Sequence, residues 1–246
     1  MIKINDLYLK KYFKNKRIAL VGNSFDRCDL AKEIDKHDIV IRCNLADSRV
    51  KKWDYETVKP DVPTGNKITI MAGFWNHMNV VNIVNAYSEI DLLLTVRPET
   101  AQRKKYWRET SKMYKVNKKN YFISQQEYKN IASRVGGAPV LVGIVALFIL
   151  HKYNTAKEIN IYNFNFYTPS LNDWNKVQQQ VYDKWLHRRH GDTMYGFHEK
   201  NRHTAHNLTR SYKWFCKCLK VNKNIQWRLN SRHKDIIKKY MTGEIK

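Results

Sequence analysis

The stretch Arg17–Asp47, RIALVGNSFDRCDLAKEIDKHDIVIRCNLAD, constrains the fold more than any other part of the chain. Ile18–Val21 is short, continuous and apolar, as a strand covered on both faces must be. It runs straight into a polar turn, Gly22-Asn23-Ser24. After a helix or loop over 27–36 and the charged turn Ile34-Asp35-Lys36-His37-Asp38, a second strand is expected over Asp38–Asn44. A strand that ends in a glycine-containing polar turn is how α/β proteins bring backbone N–H groups to a phosphate or nucleotide.

The rest of the chain continues the alternation. Strands are expected at Lys67–Ala72, Ile90–Val96, Glu158–Tyr162 and Ile225–Trp227. Helical segments are expected to include Asn79–Tyr87, Gln125–Ser133, Val140–Tyr153, Trp174–Trp185 and His206–Leu219, with a last helix over 231–246. Residues 1–16 read as a basic amphipathic lead-in, and 168–205 as a lid loop. At 246 residues this predicts one α/β domain, a Rossmann-like and mostly parallel sheet with helices on both faces.

Composition narrows the function classes. The longest apolar run, Pro139–Leu150, is short of the roughly 18 residues a membrane helix needs and suits a buried helix. The cysteines Cys28, Cys43, Cys216 and Cys218 are too few and scattered for a disulfide framework, so a reducing cytoplasm is expected. The net charge of +23 points to anionic partners: nucleic acid, anionic lipid, an acidic glycan or a sugar nucleotide. The densest basic run, Arg103–Lys119, carries Tyr106, Trp107 and Tyr114 but no recognised nucleic-acid motif, which argues against nucleic acid. Peripheral contact with an anionic membrane stays open. No Asp-x-Asp occurs, and no metal site is expected.

The opening string resembles the long sialyl motif of the animal-type sialyltransferases, glycosyltransferase family 29. There the motif runs roughly V-V-G-N-S, then I-D-x-H-D-x-V-x-R-x-N. The matching positions are Leu20, Val21, Gly22, Asn23 and Ser24, then Ile34, Asp35, His37, Asp38, Val40, Arg42 and Asn44. Thr64–Ile70 is similar to the G-x-K-T-T strand that closes the motif, and Lys157–Phe164 to the D-E-V-x-x-Y-G-F strand of the family's short motif. The resemblance implies the sialyltransferase variant of the GT-A arrangement. It also implies a CMP-linked sugar acid as donor, with no separate cofactor, and an oligosaccharide or polysaccharide acceptor.

Site residues follow from the same resemblance. Asn23, Ser24 and Asn44 are expected at the donor's phosphate and ribose; the alternative is that Asn23 and Asn44 only satisfy turn backbone. Asp35, His37 and Asp38 are expected to set the turn and the start of the second strand. Where the family has a Ser/Thr-Ser/Thr-Gly turn for the sugar-acid carboxylate, this chain has Gly136-Gly137-Ala138, so backbone N–H groups at a helix N-terminus would take that role. Asn163 replaces the glycine of the Y-G-F strand end. For the catalytic base the family uses a histidine separated by four residues from a glutamate. His206 has the best register, although Ser211 stands at the glutamate position; His203 and His198 are the alternatives. An imidazole suits the task because its proton affinity lies near neutral pH. Readings from other classes are a basic nucleic-acid-binding protein on a Rossmann-like fold, and an inactive relative that binds the donor or the glycan.

Overall fold

The computed structural model describes residues 2–22, 30–43, 65, 67–73, 89–98, 100, 105, 108–109, 118–137, 140–164, 166, 207–229 and 231–244. Its first half runs β1 (Ile2–Lys3), α1 (Asp6–Phe13), β2 (Arg17–Val21), α2 (Ala31–Asp35), β3 (Ile39–Cys43), β4 (Ile70–Gly73) and β5 (Leu92–Thr95). Then come β6 (Lys119–Phe122), α3 (Gln125–Arg134), α4 (Val142–Tyr153), β7 (Glu158–Tyr162), α5 (Leu208–Val221), β8 (Ile225–Trp227) and α6 (Ser231–Thr242). These strands form one eight-stranded sheet in the order β1-β6-β5-β4-β3-β2-β7-β8. Every pairing is parallel. The α/β class is as expected, and the sheet is wholly parallel among the described strands.

A parallel sheet must be covered on both faces, and the central strands show why this sequence can be. Every residue of β3, β4 and β5 is buried. Alternate side chains go to opposite faces. Ile18, Leu20, Ile39, Ile41, Ile70, Leu92, Leu94, Ile159 and Ile161 enter the large core shared with α1, α3, α4 and α5. Ala19, Val21, Val40 and Tyr162 meet Ile34 of α2 on the other face.

The apolar run read as a buried helix is α4, with Ile144–Leu150 all buried. It stops at Asn154, whose φ of 42° is the left-handed conformation that ends helices. Among the described residues, no helix is long and apolar enough to cross a membrane. α3 begins with a capping box in which Ser124 and Glu127 satisfy each other's backbone N–H.

Two strands lie where none is expected from the sequence. β1 falls within the lead-in, and both its residues are exposed. β6 closes the basic segment with the sequence KNYF, of which only Asn120 and Tyr121 are buried. Buried Asn120 is accommodated because its Oδ1 accepts the Thr95 hydroxyl of β5 at 2.9 Å. Strands this short and polar carry no readable period; β6 is a strand because β5 offers it an edge, and β1 because β6 offers it the next one. Lys152 at the end of α4 then joins Asp6 of α1 to Glu127 of α3, and Tyr121 donates to Asp6 at 2.8 Å. Burial pushes both carboxyls up, but the Lys152 ammonium and the neighbouring hydroxyls outweigh it and hold them below the usual carboxylate range. The expected helices at Asn79–Tyr87 and Trp174–Trp185 and the loop 168–205 lie outside the described residues.

Candidate functional site

From β2 the chain builds outward through β3, β4 and β5 to β6, then returns to lay β7 on the opposite side of β2. The order of the sheet therefore reverses between β2 and β7. In open parallel sheets a crevice opens at the carboxyl ends of such strands, because the connections leave in opposite directions. Here those ends are Val21-Gly22 and Tyr162-Asn163.

The two ends are pinned closely together. The Gly22 N–H donates to the Tyr162 carbonyl at 2.9 Å. A Cβ on Gly22 would lie 2.3 Å from the Asn163 carbonyl oxygen and 2.8 Å from the Phe164 ring. The other side of the same ring fills the space beside Gly143, where a Cβ would be 2.4 Å from Cζ. Phe164 is thus a wedge between the end of β2 and the first turn of α4, and both glycines are needed for it to fit. Asn163 adopts φ 55°, which asparagine tolerates better than most residues that could replace glycine there.

Replacing Gly22 with alanine is expected to cost about 1–3 kcal/mol, since one clash is with backbone that cannot rotate away. A thermal melt should fall by roughly 2–4 °C for each kcal/mol in a chain of this size. An unchanged melting temperature would show that the strand ends are not held this close.

The wedge places the N-terminus of α4 at the switch point. Its N-cap, Leu141, supplies no side-chain hydrogen bond, and the first turn has no acidic residue. The N–H groups of Val142, Gly143 and Ile144 therefore have no intrahelical acceptor, which is the arrangement that favours an anion. From the sequence this role is expected of the turn Gly136-Gly137-Ala138. In the structure Gly136 has φ +84° and the Gly137 N–H donates to the Ala132 carbonyl at 2.7 Å. This pair terminates α3 in the usual six-to-one glycine cap. The Val140 N–H is also engaged, by the Tyr128 hydroxyl at 3.1 Å. Ala138 lies outside the described residues.

Gly136 has a second role. A Cβ there would lie 2.6 Å from both Asn207 Nδ2 and Arg210 Cδ. Asn207 is the N-cap of α5 and accepts the Arg210 N–H at 3.0 Å. The start of α5 is thereby packed against the turn that leads into α4. His206, the residue before Asn207 in sequence, lies outside the described residues, as do His203, His198, Asn23, Ser24 and Asn44. Gly22 immediately precedes Asn23, and Cys43, the last residue of β3, immediately precedes Asn44.

The remaining motif residues form a clamp below the crevice. Asp38 accepts the Arg17 N–H at 2.7 Å, and that bond holds its carboxyl below the ordinary range. Asp35 accepts the Lys67 N–H at 2.9 Å. Arg42, 1% exposed, donates to the carbonyls of Lys67 and Gly65, both at 3.0 Å. Lys67 Nζ donates to the His37 carbonyl. His37 is buried, with Nδ1 facing the carbonyls of Glu33 and Ile34 at 3.0 and 3.1 Å and Nε2 facing Asn160 Nδ2 at 2.9 Å. The Nδ1–H tautomer satisfies all of these at once. Asp35, His37 and Asp38 thus hold the turn and the start of β3, the role expected of them.

Four polar residues on this face were not anticipated. Tyr162 donates to Glu33 at 2.8 Å, and burial together with that carboxylate pushes its phenol far up. Arg228 donates to Asn160 Oδ1 at 2.6 Å. The available signal was period two along β7: Glu158, Asn160 and Tyr162 must share one face, opposite Ile159 and Ile161. Among the described residues, no three His, Cys, Asp or Glu side chains gather as a metal site would require.

No protein-family model matches the sequence, and no curated protein matches it. Solved structures do. One is a mammalian sialyltransferase in complex with Gal-beta-1-3GalNAc-ortho-nitrophenol. It aligns with a TM-score of 0.51 over 91% of this chain and 73% of that one, at 15% identity. The two folds are similar. At this identity the likeness concerns the path of the backbone.

Proposed function

We propose that the chain is a glycosyltransferase that moves a 2-keto sugar acid from a CMP-linked donor to a hydroxyl of a glycan, by an inverting displacement that uses no metal. The observation that carries this is the meeting, at one switch point, of the β2 end and the uncapped N-terminus of α4, locked by Phe164 between Gly22 and Gly143. Asn23 and Ser24 continue directly from β2, and Asn44 from β3, so carboxamide and hydroxyl groups would address the phosphate and ribose without adding charge. The N–H groups of Val142, Gly143 and Ile144 would receive the sugar-acid carboxylate, aided by the helix dipole. With no hydroxyl in the Gly136-Gly137-Ala138 turn, a 3-deoxy-octulosonate would fit this role as well as sialic acid.

In the reaction the acceptor oxygen attacks the anomeric carbon as the bond from that carbon to the CMP oxygen breaks. The bonding pair leaves with the phosphate, and the acceptor proton passes to an imidazole, assigned to His206 with His203 and His198 as alternatives. Positive charge around the leaving phosphate would lower the barrier.

The test is a thermal-shift screen in chelator-treated buffer against CMP, CDP, UDP and GDP. CMP at about a hundred times its Kd should add about 2.7 kcal/mol, or roughly 5–11 °C. The other nucleotides should do markedly less. Stabilisation by UDP or GDP in place of CMP, or by none of the four, would overturn the reading.

A further inference from the structure

Helix α5 carries a feature that the proposed chemistry does not use. Its buried side is Leu208, Ser211, Trp214, Phe215 and Cys218. Its exposed side presents Arg210, Lys213, Lys217 and Lys220. At 3.6 residues per turn these four fall within about a quarter of the helix circumference, and about 15 Å of axis separates the first from the last. One cation therefore projects roughly every 5 Å along a single row. The helix sequence LTRSYKWFCKCLKV contains no acid. Among the described residues no carboxylate pairs with any of the four, although Lys152, Arg228 and Lys239 all find partners. Like charges three and four residues apart weaken a helix by a few tenths of a kcal/mol per pair, so folding gains nothing from the row. Its first member, Arg210, packs on Gly136, in the turn that precedes α4.

We infer that this row binds a linear, carboxylate-bearing glycan and leads its end toward the turn before α4, as the acceptor chain of the proposed reaction. The word acceptor rests on the glycosyltransferase reading; the affinity of the surface for a polycarboxylate does not. Lysine and arginine form charge-assisted hydrogen bonds to carboxylates, and a polymer with one carboxylate per sugar can meet a row of single cations one for one. Other polyanions fit less well. A helix that docks on lipid turns its apolar face to the membrane, whereas that of α5 is committed to the core. Single-stranded nucleic acid needs aromatic rings beside the cations for base stacking, and here Trp214 is buried and Tyr212 half-buried.

The experiment uses the full chain and the exposed-site variant Lys213→Gln/Lys217→Gln/Lys220→Gln, which leaves Arg210 in place. Binding of an octamer of galacturonic acid is titrated at several salt concentrations, beside a neutral dextran oligomer, phosphatidylserine vesicles and an octauridylate. The galacturonate should bind and dextran should not. The variant should melt at the parent temperature and lose about tenfold or more in affinity. Its salt dependence should be shallower by about two in the log–log slope, at roughly 0.7 per contact for a single-stranded polyanion. Equal binding by parent and variant overturns the inference. So does variant-sensitive preference for the vesicles or the octauridylate, which would give the surface to a membrane or a nucleic acid. CMP stabilisation read in the same samples separates the two claims. CMP binding without a galacturonate effect removes the row as an acceptor track and leaves the reaction standing. Row-dependent galacturonate binding without a CMP effect keeps the surface and overturns its description as an acceptor site.

Discussion

Replacing His206 with alanine is expected to cut sugar transfer by about 10²–10⁴-fold while CMP still stabilises the protein to the parent extent. Removing a general base strips an interaction made in the transition state and leaves nucleotide contacts in place, so kcat should fall with little change in the donor's KM. The described structure gives this expectation its focus. Asn207, the N-cap of α5 and the residue that follows His206 in sequence, packs against Gly136 in the turn that leads into α4. The same substitution at His203 and at His198 serves as the comparison. If His206→Ala turns over normally while one of the others collapses, the base is that histidine. If all three turn over normally, imidazole catalysis is wrong for this chain.

The fold was legible where burial is two-sided. IALV is short and continuously apolar, and IVIRC and EINIY are short and rich in β-branched residues, so each reads as an interior strand, and their order with intervening helices leaves few arrangements besides a parallel sheet. What could not be read were β1 and β6, whose strand character comes from the neighbouring edge and is absent from their own composition. The ends of α4 show the same division of causes. Asn154 marks the end locally, while the start lies at Val142 and not at Val140 because Leu141 has the non-helical ψ of 135° and serves as the N-cap.

At the candidate site the positions of the glycines were legible in the sequence, and the structural uses of those glycines were not. The Gly22 turn lies at the switch point, as a strand running into Gly-Asn-Ser suggests. Gly136-Gly137 suggested an anion cradle, yet a glycine pair also ends a helix, and α3 claims it for that purpose. Sequence spacing does not separate these uses, because both need the same left-handed backbone. Gly143, inside the apolar run Pro139–Leu150, is the glycine that lets Phe164 approach the helix start.

Replacing Arg42 with methionine is expected to destabilise the fold by about 3 kcal/mol or more, the largest loss expected for any single change in the motif. Arg42 belongs to a string that, by resemblance, reads as part of a donor site, so a loss of binding would be the natural expectation. Its geometry gives a different one. The side chain is fully buried on the face of β3 that carries Val40, and its Nε and Nη2 close the carbonyls of Lys67 and Gly65. Those two residues lie just before β4, and Asp35 holds the same segment through the Lys67 N–H. Methionine keeps most of the apolar stem but leaves two carbonyls without this donor, at about 1–3 kcal/mol each when buried. At roughly 2–4 °C per kcal/mol the melting temperature should drop by about 6–12 °C. Lysine should not rescue it, because a single ammonium cannot reproduce the planar fork that reaches both oxygens. Thermal and urea unfolding of Arg42→Met and Arg42→Lys decide the matter. Melts within about 2 °C of the parent, together with lost CMP stabilisation, would return Arg42 to the binding site and show that the clamp below the crevice is not what holds β3 to the segment before β4.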